Sequence, residues 1–112
     1  MNRNITINIT PKAIVIIKTG NPVLEKVIGS NEDMDKVISF IKSIKIQKKL
    51  DEKYKGWIYS IHIIDENGNT ASVGILDDKI SYNNSFYIID KSVAEKFESL
   101  YNKLNYNEKT FN

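Results

Sequence analysis

The chain has 112 residues, no cysteine, one histidine and one tryptophan, and 16 basic against 14 acidic side chains give a formal charge of +2. The length suits one domain with a modest core, and the missing cysteine excludes disulfides, thiolate metal sites and cysteine nucleophiles. A lone imidazole does not make a histidine metal site, and near-neutral charge speaks against wholesale nucleic-acid or membrane binding.

Isoleucine, lysine and asparagine contribute 19, 15 and 13 residues. All three have A/T-rich codons, so the expected source is an AT-rich bacterial genome, or a phage or plasmid within one. Hydrophobic content of 41% and charged content of 27% are those of a folded globular chain. The first apolar stretch, Ala13 to Ile17, ends at Lys18. A signal h-region needs about 7–15 apolar residues and a membrane-spanning helix about 20, so no membrane span is expected. Localisation stays open: cytoplasmic if Met1 is native, exported or lipoprotein-derived if a leader has been removed.

In chain order, Ile5, Ile7 and Ile9 alternate with Thr6, Asn8 and Thr10, the pattern of a half-buried strand. After Pro11, Ala13 to Lys18 predicts a more buried strand. Gly20-Asn21-Pro22 is a turn signal, and Val23 to Ile28 a short third strand. Ser30 or Asn31 can cap a helix with Glu32 and Asp33 in its first turn. Met34, Val37, Ile38, Ile41 and Ile44 follow at helical spacing, which predicts a helix over about residues 31–49. Leu50 to Gly56 reads as a charged loop.

Trp57 to Ile64 alternates as a strand, with Trp57, Tyr59, Ile61 and Ile63 on one face and Ile58, Ser60, His62 and Ile64 on the other. A three-residue loop, Glu66-Asn67-Gly68, pairs Ile63 with Ala71, Ile61 with Val73 and Tyr59 with Ile75. A two-residue loop would set apolar against small or polar side chains, so the longer loop is predicted, with Gly68 at positive φ in a G1 bulge. Asp77-Asp78 then pairs Ile75 with Ile80, and Asn83-Asn84 in a type I′ turn pairs Ile80 with Tyr87. These turns make a four-stranded antiparallel meander whose core face is Tyr59, Ile61, Ile63, Val73, Ile75, Ile80, Tyr82, Tyr87 and Ile89. Ser92-Val93-Ala94-Glu95 has the form of a capping box, and Val93, Phe97, Leu100, Tyr101 and Leu104 form the stripe of a helix over about 91–105. The polar tail, residues 106–112, is expected to fray. The fold class is therefore α+β, one domain over 1–112, with an antiparallel sheet of about five or six strands and two helices.

Chemistry-bearing motifs are few. No Gly-rich phosphate loop, nucleophile elbow, HExxH or dinucleotide fingerprint is present, so neither an enzyme nor a cofactor is expected. Asp65, Glu66, Asp77 and Asp78 fall in turns; Gly68 is fourth from Asp65, whereas an EF-hand loop needs glycine sixth, so no metal site is expected. His62 on the non-core face is a candidate contact residue, and a proton-transfer role is its enzymatic alternative. Phe86 and Ile88 share that face with Ile58 and His62, and Trp57 and Tyr54 flank it. Such a face is too apolar for full exposure, so either other elements or a protein partner cover it. Lys42, Lys45, Lys48, Lys49, Lys53 and Lys55 make a locally basic stretch, the candidate anion or nucleic-acid site; only one arginine is available for bidentate contacts. An isoleucine-rich strand left at a sheet edge would let two copies pair.

The order of elements from Ala13 onward is an apolar strand, a capped helix ending in lysines, Trp57 to Ile64, a glycine turn, Ile75 and Ile80, Ser85-Phe86-Tyr87-Ile88 and a last helix. This order resembles small α+β domains of Gram-positive bacterial lipoproteins and one unit of the β-lactamase-inhibitor-protein fold. The resemblance implies helices packed on one face of an antiparallel sheet, and protein binding through the open face. It covers most of the chain, transfers no functional residue, and lacks the lipobox cysteine. The function expected is a non-catalytic protein-binding module, such as an inhibitor, an immunity protein or an envelope-associated protein. The alternative is a small nucleic-acid-associated regulator.

Overall fold

A computed structural model describes residues 3–112. Ten strands and two helices follow in the order β1 (Arg3–Asn4), β2 (Ala13–Lys18), β3 (Leu24–Ile28), α1 (Asn31–Ser43), β4 (Lys45–Ile46), β5 (Lys48–Leu50), β6 (Tyr59–Ile64), β7 (Thr70–Ile75), β8 (Lys79–Tyr82), β9 (Ser85–Ile88), α2 (Ser92–Lys103) and β10 (Lys109–Thr110). Eight of the strands form one antiparallel sheet in the order β10-β3-β2-β6-β7-β8-β9-β5, and β1 pairs with β4 outside it. The fold is α+β with two helices, as the patterning predicts, but the large sheet has eight strands rather than five or six.

The meander has the predicted register. Tyr59 pairs with Ile75, Ile61 with Val73, Ile63 with Ala71, Ile75 with Ile80 and Ile80 with Tyr87. Gly68 sits at φ 83°, and Asn83 and Asn84 at φ 45° and 74°, as the G1 bulge and the type I′ turn require. Each register keeps β-branched side chains on one face, where Ile61, Ile63, Ile75 and Ile80 are fully buried. Ile14 and Ile16 of β2 and Ile28 of β3 extend that face.

Both helices cover it. Met34, Val37 and Ile41 of α1 and Val93, Phe97 and Tyr101 of α2 join the same core. Phe97 stands edge-on to Tyr59 at 4.9 Å and to Phe40 at 5.4 Å between ring centres. Lys26, only 8% exposed, donates from Nζ to the carbonyls of Tyr101 and Leu104 at 2.8 and 3.0 Å. A cation there satisfies the last carbonyls of α2 and meets the negative end of its dipole.

Further expectations need correction at the N-terminal segment, the lysine-rich stretch, the start of α2 and the tail. Ile5 and Ile7 are buried and Thr6 and Asn8 exposed, but this segment forms no strand beyond Arg3–Asn4. α1 stops at Ser43: Ile44 adopts extended backbone, and Ile44 and Ile46 are buried on either side of exposed Lys45. A period of two has replaced the helical one because β4 and β5 find partners in β1 and β9. The predicted capping box does not form. The cap position is Lys91, and the Asp90 carboxylate accepts from both the backbone N–H and the hydroxyl of Ser92. The tail is docked rather than frayed: β10 pairs with β3, and the Tyr106 hydroxyl donates to Asp33 at 2.8 Å.

Candidate functional site

The sheet face away from the helices carries the site residues that the sequence singled out, and it divides into two halves. Alternation puts Val27, Val15, Ile17, Ser60, His62, Ser72, Gly74, Ser81, Phe86 and Leu50 on this face, linked through the pairs Val15–His62, His62–Ser72, Gly74–Ser81, Ser81–Phe86 and Phe86–Leu50.

The half over β7, β8, β9 and β5 is covered by the chain itself. Residues 54–57 lie across it. The ring of Trp57 stacks on Phe86 at 5.5 Å with 22° between planes, and Tyr54 tilts against Phe86 at 5.9 Å. Trp57 therefore does not share a face with Tyr59 as strand alternation predicts; the strand begins only at Tyr59. Gly74 makes this possible, since a Cβ there would lie 2.6 Å from two atoms of the Trp57 ring. The Lys79 ammonium stands 4.7 Å from the Tyr54 ring centre and 2.8 Å from an Asp78 carboxylate oxygen. That hydrogen bond holds the Lys79 ammonium above, and the Asp78 carboxyl below, their ordinary values. Phe86 is left 4% exposed, so this ring is spent on intramolecular cover. Ile88 is half-buried and paired with Lys48 and Lys79 on its neighbouring strands.

The half over β3, β2 and β6 is open. Val27 is 43% and Ile58 40% exposed, and Val15, Ile17 and Ile64 between and beside them are half-buried. Through this aliphatic strip runs a short polar row. The Ser60 hydroxyl lies 3.0 Å from Nε2 of His62, and the Ser72 hydroxyl 3.2 Å from Nδ1. A neutral imidazole is satisfied by this pair: its N–H donates to one hydroxyl, and the other hydroxyl donates to its free nitrogen. Such a row can present hydroxyls and an imidazole edge to a ligand. Neither cavity described in the molecule includes it, and among the described residues no three His, Asp or Glu side chains gather at metal-binding range.

The six lysines of the basic stretch are all exposed, and none is in an ion pair among the described residues. The structure nevertheless divides them. Lys42 lies in the last turn of α1 and Lys45 in β4, while Lys48 and Lys49 alternate on β5. Lys48 faces Ile88 and Lys49 faces Tyr87, on opposite sides of an edge strand. Lys53 and Lys55 flank Tyr54 in the covering loop. The two edges of the large sheet are β5 and β10, of three and two residues with lysine in each, so no isoleucine-rich strand lies at an edge. Among the described residues, no helix is long and apolar enough to cross a membrane.

Sequence reasoning missed Gly74, Val27 and Ile17. Gly74 was legible as a gap in an otherwise apolar or hydroxyl-bearing strand; Val27 and Ile17 carried no signal beyond ordinary strand composition. Comparison with protein-family models, with curated proteins and with solved structures finds no match to the chain.

Proposed function

We propose that this chain is a non-catalytic protein-binding module that engages its partner through the open half of the sheet face. The observation that carries this reading is the contrast within one face: where the fold has cover it buries Phe86 almost completely, and toward the other edge of the sheet Val27 stays exposed opposite half-buried Val15, with half-buried Ile17 on the same face and exposed Ile58 just before β6. Adjacent exposed aliphatics on a rigid sheet gain from losing water, and the Ser60–His62–Ser72 row supplies fixed donors and acceptors for orientation. Trp57 and Tyr54 form the rim on the covered side. The partner surface is apolar at its centre, with hydrogen-bonding groups over His62. The element order that resembles inhibitor-like and envelope-associated domains points the same way.

Affinity capture from a bacterial lysate with the full chain, repeated with Ile58→Asp and Val27→Asp, tests the reading. A specific partner should be retained by the wild type and lost with either variant while the melting temperature is unchanged. Retention by both variants, with loss on Lys45→Glu and Lys48→Glu in a salt-dependent manner, would instead establish the nucleic-acid or anion reading.

A further inference from the structure

We propose that a groove at the other end of the sheet is a second binding site, one that takes an extended peptide by strand addition. It is separate from the open face and stands or falls without it. Two independent observations carry it. The first is backbone accounting. From Thr6 to Pro11 no N–H or C=O group makes a backbone hydrogen bond to a described residue, and the first such bond is Lys12 N–H to the Ile64 carbonyl. Buried main-chain groups are nearly always paired, whereas main chain near the surface can be paired by water or by a ligand, and Thr6, Asn8 and Thr10 are exposed. This run is also held in place, because Ile5 and Ile7 are buried in the core while Thr6, Asn8 and Thr10 face outward. It is an anchored segment whose main chain has no backbone partner among the described residues.

The second observation is the groove itself. A cleft of about 940 Å³ runs along Thr6 to Lys12 and is completed by the β6–β7 turn, by Asn31 and by Tyr82 and Asn83. The size is in the range of sites for small ligands, which is about 300–1,000 Å³. Its chemistry is amide and hydroxyl, the functionality of a peptide main chain: Asn8 and Thr70 offer both donors and acceptors, whereas the Asn83 amide oxygen already accepts from the Ser72 N–H and the Asn69 amide already donates to Asp65. Asp65 is already engaged by the Asn67 and Asn69 N–H groups and the Asn69 amide, which hold its carboxyl below the usual value. Lys12 is the single basic group of the lining, which matches no phosphate-rich ligand. Thr6 to Thr10 fully extended spans about 17 Å at about 3.4 Å per residue, so the edge accommodates about five residues of ligand. In this mode main-chain bonds give affinity, and alternate side chains meet the Asn and Thr walls.

Short random peptides displayed on phage would be selected on the immobilised full chain, and the enriched peptide resynthesised with and without N-methyl groups at alternate residues. Amides from Thr6 to Thr10 should exchange freely in the unliganded chain and slow on binding. The N-methylated peptide should bind at least about tenfold more weakly, since it keeps the side chains but lacks the main-chain donors. Asn8→Pro should weaken binding far more than Asn8→Ala, which keeps the main-chain donor and loses only the side-chain amide, with equal melting temperatures confirming that both fold. The proposal is overturned by protected Thr6–Thr10 amides in the free chain, by no enrichment, by equal binding of the N-methylated peptide, or by saturable binding of chitobiose or maltose in place of any peptide. Peptides enriched instead on the open face, and lost with Ile58→Asp, would support the proposed function and overturn this site.

Discussion

The two halves of the outer sheet face share one backbone and differ in what the chain lays over them. Over β7 to β9, Gly74 and the small Ser81 lower the surface, and a loop carrying Tyr54 and Trp57 fills the depression around Phe86. Over β2, β3 and β6, valine and isoleucine stand at full height with no cover except their neighbours. The covered half is a small second core, stabilised like any core by packing and exclusion of water. The open half has the same apolar character without that closure. Stability and binding should therefore separate spatially, which substitutions on either side of the line can test.

The largest effect is expected at Phe86. Truncation to alanine removes the ring that both Trp57 and Tyr54 contact, and should cost about 3 kcal/mol, the low end for buried phenylalanine. Urea denaturation measures it; a loss below about 1 kcal/mol would mean that the loop is only draped over the sheet. Gly74→Ala comes next. Its Cβ would overlap the Trp57 ring, so either the indole lifts or the strand shifts, at about 1–3 kcal/mol. Quenched or red-shifted Trp57 fluorescence should accompany the loss, because the indole is the group displaced. An unchanged spectrum with full stability would break the account of why residue 74 has no side chain.

What the sequence made legible follows the same division. Period-two alternation is a strong signal where a strand is buried on one face, so β6 to β9 and each of their registers could be derived from Ile61, Ile63, Val73, Ile75 and Ile80. The lysine-rich stretch misled because Ile41, Ile44 and Lys45–Lys49 fit helical spacing as well as edge-strand alternation, and only the tertiary partners β1 and β9 decide between them. The docked tail was illegible for a related reason. Tyr106 and two strand residues hold it, and their partners Asp33 and Leu24 lie far away in sequence. Of the candidate site, the membership of His62, Phe86 and Ile88 in one face was readable from parity, whereas Ile58 lies before the strand begins. Which of them are covered was not, because residues 51–57 have no periodicity from which their path could be read.

The open half should respond in the opposite way to the covered one. Ile58→Ser replaces an exposed apolar side chain just before β6 and should change stability by no more than about 0.5 kcal/mol, as for other exposed positions. Its partner affinity should fall by at least about tenfold, the loss expected when a central apolar contact is truncated. If Ile58→Ser destabilised the chain like Phe86→Ala, the open half would belong to the core and the contrast between the halves would fail.

The smallest effect sharpens the border of the open half. β3 carries Val27, and the start of its outer side, at Leu24 and Glu25, is paired with β10, which Tyr106 ties to the cap of α1 by donating to Asp33. That hydrogen bond is the main reason the Asp33 carboxyl lies below its usual 3.8, with Ser30 and Lys36 adding to it. The sign follows directly. A carboxyl with a depressed folded pKa stabilises the fold above its unfolded value, and that contribution disappears as pH falls through the folded one. Stability should therefore decline as pH drops below about 4. In Tyr106→Phe the largest cause is gone, so the decline should be shallower, while at neutral pH the amide of Phe111, which donates to the Val23 carbonyl at 2.8 Å, should exchange faster. Asp65, Asp78 and Asp90 are depressed by their own local bonds and should keep the remaining slope in the variant. An identical acid profile in Tyr106→Phe would show that Asp33 does not couple to the tail. In that case β10 would rest on its ladder with Leu24 and Glu25, and Val27 would border a looser edge.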